Sequence, residues 1–255
     1  MSGFYIGVDG KARKVKGAYI GVDGVARKIK KGYIGVDGVA RLCWCSEKKL
    51  SEYPVGSIVY LPESGKNVEY IVVHQGKPNS SSYDSSCDGT WLLRKDCYSK
   101  TSWYYENNNN YVGSTLNTQT LNTTFLKKFN SGVQTAIKTA AVPVGSSKLN
   151  QKIFLLSGSE VGWKKSNNSS LTSEGACLEY FNGCSVTDAK RIAYYSNAAT
   201  QWWTRTKSSS DSYNAFYITD IGGIGVTGVS TSYGIRPALI MNSDTIFDSN
   251  NVIVT

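Results

Sequence analysis

The stretches QWWTRT (201–206) and GIRPALIM (234–241) decide the reading of this chain, because both are β-prone runs bounded by turn residues near its C-terminal end. Between them, residues 214–219 (NAFYIT) and 225–229 (GVTGV) read as further strands joined by glycine-rich turns. Residues 235–241 form one strand and 251–254 (NVIV) a last one. Working toward the N-terminus, residues 152–156 (KIFLL) are a strand, while 175–181 and 187–195 read as short helices, the second capped by Thr187. Leu121, Phe125, Phe129, Val133 and Ile137 recur every four residues, the stripe of a helix. Gly132 splits that stripe, Ser131 and Gln134 have the spacing of a capping box for its second half, and Pro143 lies beyond its end. Residues 57–61 (SIVYL), 69–74 (EYIVVH) and Trp91-Leu92-Leu93 are strands again. Strands, then helices, then strands predict an α+β domain whose sheet closes through its C-terminus.

The first 45 residues are organised differently. YIGVDG begins at Tyr5, Tyr19 and Tyr33, a repeat of 14 residues. Each copy places Asp-Gly between two short β-prone runs, which predicts three hairpins turning at Asp9-Gly10, Asp23-Gly24 and Asp37-Gly38. A lone hairpin is marginal in water, and these bury little beyond Tyr, Ile, Val and Ala. The segment is therefore expected to be ordered by packing on something else. The chain divides into residues 1–45, basic β-hairpin repeats, and 46–255, one domain, with a hinge at 46–54.

Charge supports the same division. The net charge is +9, and residues 1–42 hold nine Lys/Arg against three Asp, whereas the remainder holds nineteen against sixteen acids. A basic field confined to one sixth of the chain does not describe a nucleic-acid binder as a whole; it suits a solvated segment or one that docks on an acidic protein surface. No apolar run reaches the ~20 residues of a membrane span. The N-terminus lacks the pattern of a secretion signal, so folding in a cytoplasm with reduced thiols is expected. Cys87 with Cys97, and Cys177 with Cys184, could each close a short loop, but all six cysteines are read as small buried hydrophobes. The single histidine, His74, excludes a multi-His metal site, and neither C-x-x-C pairs nor a phosphate-binding P-loop is present. No metal or cofactor is expected.

Five motifs in order, TWLLRKDCYS (from Thr90), VGSTLNTQTLNTTFLKKF (from Val112), KIFLLSGSEVGW (from Lys152), RIAYYSNAATQWWTRT (from Arg191) and YGIRPALIM (from Tyr233), resemble a large uncharacterised family of phage virion and gut-bacterial surface proteins. The GIRPAL ending is similar to that of C-type-lectin-like folds, including formylglycine-generating-type domains and variable proteins diversified by retroelements. The YIGVDG repeats look like N-terminal segments of phage tail-associated proteins. The resemblance implies a C-type-lectin-like domain, and a virion assembled in a host cytoplasm. The EPN and WND tripeptides of calcium-dependent sugar binding are absent, so that activity is not implied.

The candidate binding residues surround the C-terminal strands. They are Asn197, Thr200, Gln201 and Trp203, then Ser208, Ser210, Asp211, Tyr213 and Asn214, then Ser230, Ser232 and Tyr233. Tyr supplies broad contact at low entropic cost, and Ser, Asn and Asp supply adaptable hydrogen bonds. Alternation places Trp202 and Trp203 on opposite faces, one in the core and the other semi-exposed. Arg236 reads as a structural hydrogen-bond hub. On the repeats, Tyr5, Arg13, Lys14, Tyr19, Arg27, Lys28, Tyr33 and Arg41 are the candidate docking residues. The expectation is a phage tail or appendage protein, not an enzyme, that binds a host-cell surface receptor, protein or glycan. Other virion proteins are its partners, and oligomerisation, for example as a trimer, would multiply a weak contact. Neither nucleic-acid binding nor membrane insertion is expected. The alternative is a structural decoration protein of capsid or tail. A formylglycine-generating enzyme using Cys177 and Cys184 is a more distant reading.

Overall fold

The computed structural model describes residues 5–8, 10–14, 18–29, 31–45, 47–104 and 108–254. The repeats form the three expected hairpins, Tyr5–Val8 with Lys11–Lys14, Ala18–Val22 with Val25–Ile29, and Lys31–Val36 with Val39–Cys45. Asp23, Gly24, Asp37 and Gly38 all have positive φ (52°, 77°, 51° and 75°), as a two-residue turn of this hand requires; Asp9 lies outside the described residues. Each hairpin is a separate two-stranded sheet. In the second and third hairpins Tyr19, Ile20, Val22, Val25, Tyr33 and Val39 are exposed. The expected hinge at 46–54 is corrected. Glu47–Lys49 pairs with Ile246–Asp248, and the Leu50 amide donates to the Thr245 carbonyl, so the body includes residue 47 onward.

Two five-stranded sheets build the body. One runs Ile153–Phe154, Ala238–Met241, Thr90–Arg94, Lys66–Gln75, Ile58–Glu63, all antiparallel. The other runs Ser99–Thr101, Tyr233–Ile235, Trp202–Lys207, Asn214–Ile218, Ile224–Gly228, with Tyr233–Ile235 parallel to Trp202–Lys207. The expected strand 235–241 is thus two strands in two sheets. The break falls at Arg236-Pro237, where proline has no N–H to give a ladder.

Central strands of both sheets are buried on both faces. Trp91 and Trp202 belong to one apolar core, whereas Leu92 and Trp203 belong to a second on the other side. Uninterrupted apolar runs such as ALIM and TWLL suit strands covered on both faces. Both Trp202 and Trp203 have no exposed surface, which corrects the semi-exposed reading of one of them.

The α+β class and the C-type-lectin-like fold are also corrected, because the chain is mostly β, with 41% strand and 14% helix. The Leu121 to Ile137 stripe is buried throughout, but it is divided among a π-helix, Leu116–Phe125, a 3-10 turn and one short α-helix, Ser131–Ala136. That α-helix is capped by Asn130, whose side chain accepts from the Val133 amide, not by Ser131. Residues 175–181 and 187–195 hold only the 3-10 turns Glu179–Phe181 and Ala189–Arg191, followed by a strand, Ala193–Tyr195. Gly175 and Gly183, at φ 81° and 75°, leave the right-handed helical region at the start of the first range and just beyond its end. The strand expected at 251–254 is reduced to isolated bridges at Val252 and Ile253. Among the described residues no helix is long and apolar enough to cross a membrane.

Among the described residues three arginines are buried, and each directs its donors differently. Arg205 donates to both carboxylate oxygens of Glu160 at 2.6 Å, and to the carbonyls of Pro143 and Leu155. Glu160 in turn accepts from the Tyr83 hydroxyl and the Ser157 amide. Arg236 lies over Trp202 and donates to the carbonyls of Arg94 and Arg191, in keeping with a structural hub. Burial pushes its pKa down to about 10. Arg191 donates to the carbonyls of Val161, Ser185 and Gly222.

Removing one partner of a buried pair strands the other charge. Arg205→Met is expected to lower the unfolding free energy by about 3–5 kcal/mol, read from the urea midpoint by circular dichroism. A loss below about 1 kcal/mol would contradict the role given to this pair.

Candidate functional site

The turn between Trp202–Lys207 and Asn214–Ile218 carries residues 208–214. The segment that follows Ile224–Gly228 carries 229–233. Antiparallel pairing of Asn214 with Gly228 brings the two to the same end of the sheet. The Val229 amide donates to the Tyr213 carbonyl at 2.9 Å and joins them. Asn109, from a third loop, donates through its side-chain amide to the carbonyls of Ser208, Asp211 and Asn214. One buried amide therefore fixes the shape of the 208–214 turn. Within the turn, Asp211 accepts from the Tyr213 amide and from the Asn214 side chain.

Residues 229–233 then cross to the strand Tyr233–Ile235. There Tyr233 packs on Trp203 and Tyr217, with ring centroids 5.0 and 4.5 Å apart. Trp103 stacks on Trp203, and Tyr217 lies against Gly225, where any Cβ would meet the ring at 2.4 Å. Burial and the neighbouring Tyr217 raise the Tyr233 hydroxyl to about 12.

The structure sorts the expected binding residues into three groups. Ser210, Asp211, Tyr213, Asn214, Ser230 and Ser232 lie at this end of the sheet, with Tyr213 58% exposed. Thr200, Trp203 and Ser208 are buried and are corrected: each packs inside, Trp203 in the aromatic cluster and Ser208 under the Asn109 bonds. Asn197 is exposed at the turn between Ala193–Tyr195 and Ala198–Thr200. It and Gln201 lie at the end of Trp202–Lys207 opposite to Ser208, roughly 20 Å along a six-residue strand, and Tyr233 lies toward that same end, since Gly234 pairs with Trp202 and its amide donates to the Gln201 carbonyl. Asn197 is therefore not part of the same patch. Of the docking candidates, Tyr19, Arg27, Tyr33 and Arg13 are exposed. The side chains of Tyr5, Lys14, Lys28 and Arg41 lie outside the described residues.

Sequence reasoning missed the cavity beside this patch. It has a volume of about 220 Å³ and lies between the 109–112 loop and the 144–147 turn, with Lys207 at its side and Arg205 and Glu174 lining it. Glu174 is 1% exposed and accepts from the Thr206 hydroxyl and the Gly145 amide. Burial outweighs Arg205 and these two bonds and pushes its carboxyl up to about 7. A single Glu within SEGACLEY carries no sequence signal of such a setting. The expectation of buried thiols is also corrected in part. Cys87 and Cys97 are buried, but Cys177 is exposed and Cys184 half-buried, and all four are free. Among the described residues no group of three or more His, Cys, Asp or Glu is arranged to hold a metal.

Residues 88–243, more than half of the chain, match the model of a family described as a domain of unknown function, DUF6273, and the chain belongs to that family. No curated protein and no solved structure gives a significant match.

Glu174 yields a prediction with an unusual sign. Its pKa is about 7 folded against 4.5 for an ordinary glutamate, so between these values the folded state binds the extra proton. Its contribution to stability is present below pH 4.5 and is lost as pH rises to 7. The stability of the native chain minus that of Glu174→Gln should therefore fall by about 3 kcal/mol across that window, measured by urea denaturation at several pH values. A pH-independent difference would mean that the carboxyl titrates normally.

Proposed function

We propose that this is a phage virion protein of a tail or appendage whose 208–214 and 229–233 surface binds a host-cell surface receptor. The observation that carries the reading is the joining of two polar loops, one of them bearing Tyr213, into one exposed patch on a doubly covered sheet. Tyr213 is outside. Such a patch combines rigid aromatic contact with adaptable hydrogen-bonding groups, the composition of recognition surfaces. The virion setting is supported by the ordered motifs from Thr90 to Met241 and by the three cationic hairpins. The second and third hairpins keep apolar side chains exposed, as expected of a segment completed by other virion proteins or by further copies of itself.

The same uncovered hairpins favour a second reading, a decoration protein in which the repeats carry the function and the body is a cap. Binding of the purified chain to host cells separates the two. Receptor binding predicts that Tyr213→Ala with Ser230→Ala and Ser232→Ala lowers cell binding by roughly tenfold or more while the far-ultraviolet spectrum is unchanged. Unaltered binding by that variant would remove the patch from the function.

A further inference from the structure

A second cleft shares no lining residue with the loop surface or the Glu174 cavity. Two adjoining cavities of about 510 and 210 Å³ share Gly162, Trp163, Lys164 and Cys184 in their walls. Lys165 lines the larger and Arg191 the smaller. No Asp or Glu is among the residues lining either one. The local charge is therefore cationic, in contrast to the nearly balanced charge of the body.

Arg191 is the centre of the argument. It is 1% exposed and stacks over the Trp163 ring, 5.1 Å from its centroid. Nε and Nη1 donate to three carbonyls, whereas Nη2 has no partner among the described residues. Nη2 lies 3.4 Å from where a Cβ of Gly162 would be, with the Phe181 carbonyl oxygen at 3.2 Å and Cys177 Sγ at 3.5 Å from the same point. Gly162, at φ 91°, lets these groups close in where a side chain would stand. No carboxylate among the described residues forms an ion pair with Arg191. The oxygens of Asp188, whose field reaches it, accept from the Ser185 and Lys190 amides. Trp163 is 7% exposed, and its Nε1 is a buried donor without a partner. Buried donors are nearly always paired, so this unpartnered indole N–H in the wall points to an acceptor supplied from outside. Burial raises the thiols of both Cys177 and Cys184, so neither adds negative charge at neutral pH.

We propose that this cleft binds the oxyanion of a small organic ligand, a phosphate or a carboxylate. Nη2 of Arg191 and Nε1 of Trp163 donate to its oxygens, and Lys164 and Lys165 neutralise it from the rim. A guanidinium held on an aromatic face, with N–H groups left over, matches such oxygens in geometry as well as charge. The remaining volume, walled in part by Phe181 and Trp163, accommodates the carbon skeleton.

The test follows the indole N–H resonance of Trp163 in the full chain, assigned by its loss in Trp163→Phe. The probes are inorganic phosphate, glycerol phosphate, glucuronate and glucose. The resonance should move with at least one anion and not with glucose. Movement with the phosphates alone identifies a phosphate ligand, and movement with glucuronate alone a carboxylate. Arg191→Lys, which keeps the charge but removes the fork, should weaken binding by roughly tenfold. Lys164→Ser with Lys165→Ser, both exposed and outside the cores, should weaken it severalfold even if Arg191→Lys does not fold. A resonance unmoved by every anion, glucose bound as tightly as the anions, or unchanged affinity in the lysine variant would overturn the proposal.

Discussion

A guanidinium and a carboxylate that both exclude water hold the body together where the strand Trp202–Lys207 leaves its ladder. Pairing of that strand with Asn214–Ile218 is irregular between Trp203 and Lys207. In that interval Arg205 turns to Glu160, Pro143 and Leu155, while its own amide donates to the Leu156 carbonyl. Burial alone would lower the pKa of Arg205, but Glu160 reverses this and keeps the guanidinium protonated. Replacing a buried pair by apolar groups is often neutral or stabilising, so its contribution is not simply strength. We read its contribution as specification: four N–H bonds from a rigid fork accept only one arrangement of residues 143, 155 and 160. The adjacent bond from Thr206 to Glu174 extends this constraint to the Gly145 turn. The patch at 208–214 begins where the constrained strand ends.

Features encoded within a few residues of sequence were legible. Asp-Gly with its positive-φ pairs set the hairpin turns, and alternation or apolar runs marked most strands of the body. Features that depend on distant partners were not. The 175–195 region has the spacing of helices, yet its glycines and the carbonyls captured by Arg191 favour short turns. Alternation made one of Trp202 and Trp203 read as half-exposed, because one strand cannot reveal that its sheet is covered on both faces. Asn109 sits in an asparagine tract with no distinguishing feature, and its importance comes from carbonyls about a hundred residues later. Glu174 and the cationic cleft were hidden for the same reason.

The two proposed surfaces differ in physical character. The loop patch is exposed and mixed, with its rigidity supplied from beneath by Asn109, Trp203 and Tyr217, which suits a large partner met from outside. The Arg191 cleft is concave and cationic, and its donors are fixed before a ligand arrives, so little ordering is left to oppose binding.

Hydrogen–deuterium exchange of the full chain, alone and with a host-cell envelope fraction, tests the central claim most directly. If the doubly covered sheet presents one receptor-binding patch, protection appears in 208–214 and 229–233, and exchange in the strand Lys66–Gln75 is unchanged. Protection confined to residues 1–45, or no protection anywhere, would contradict it.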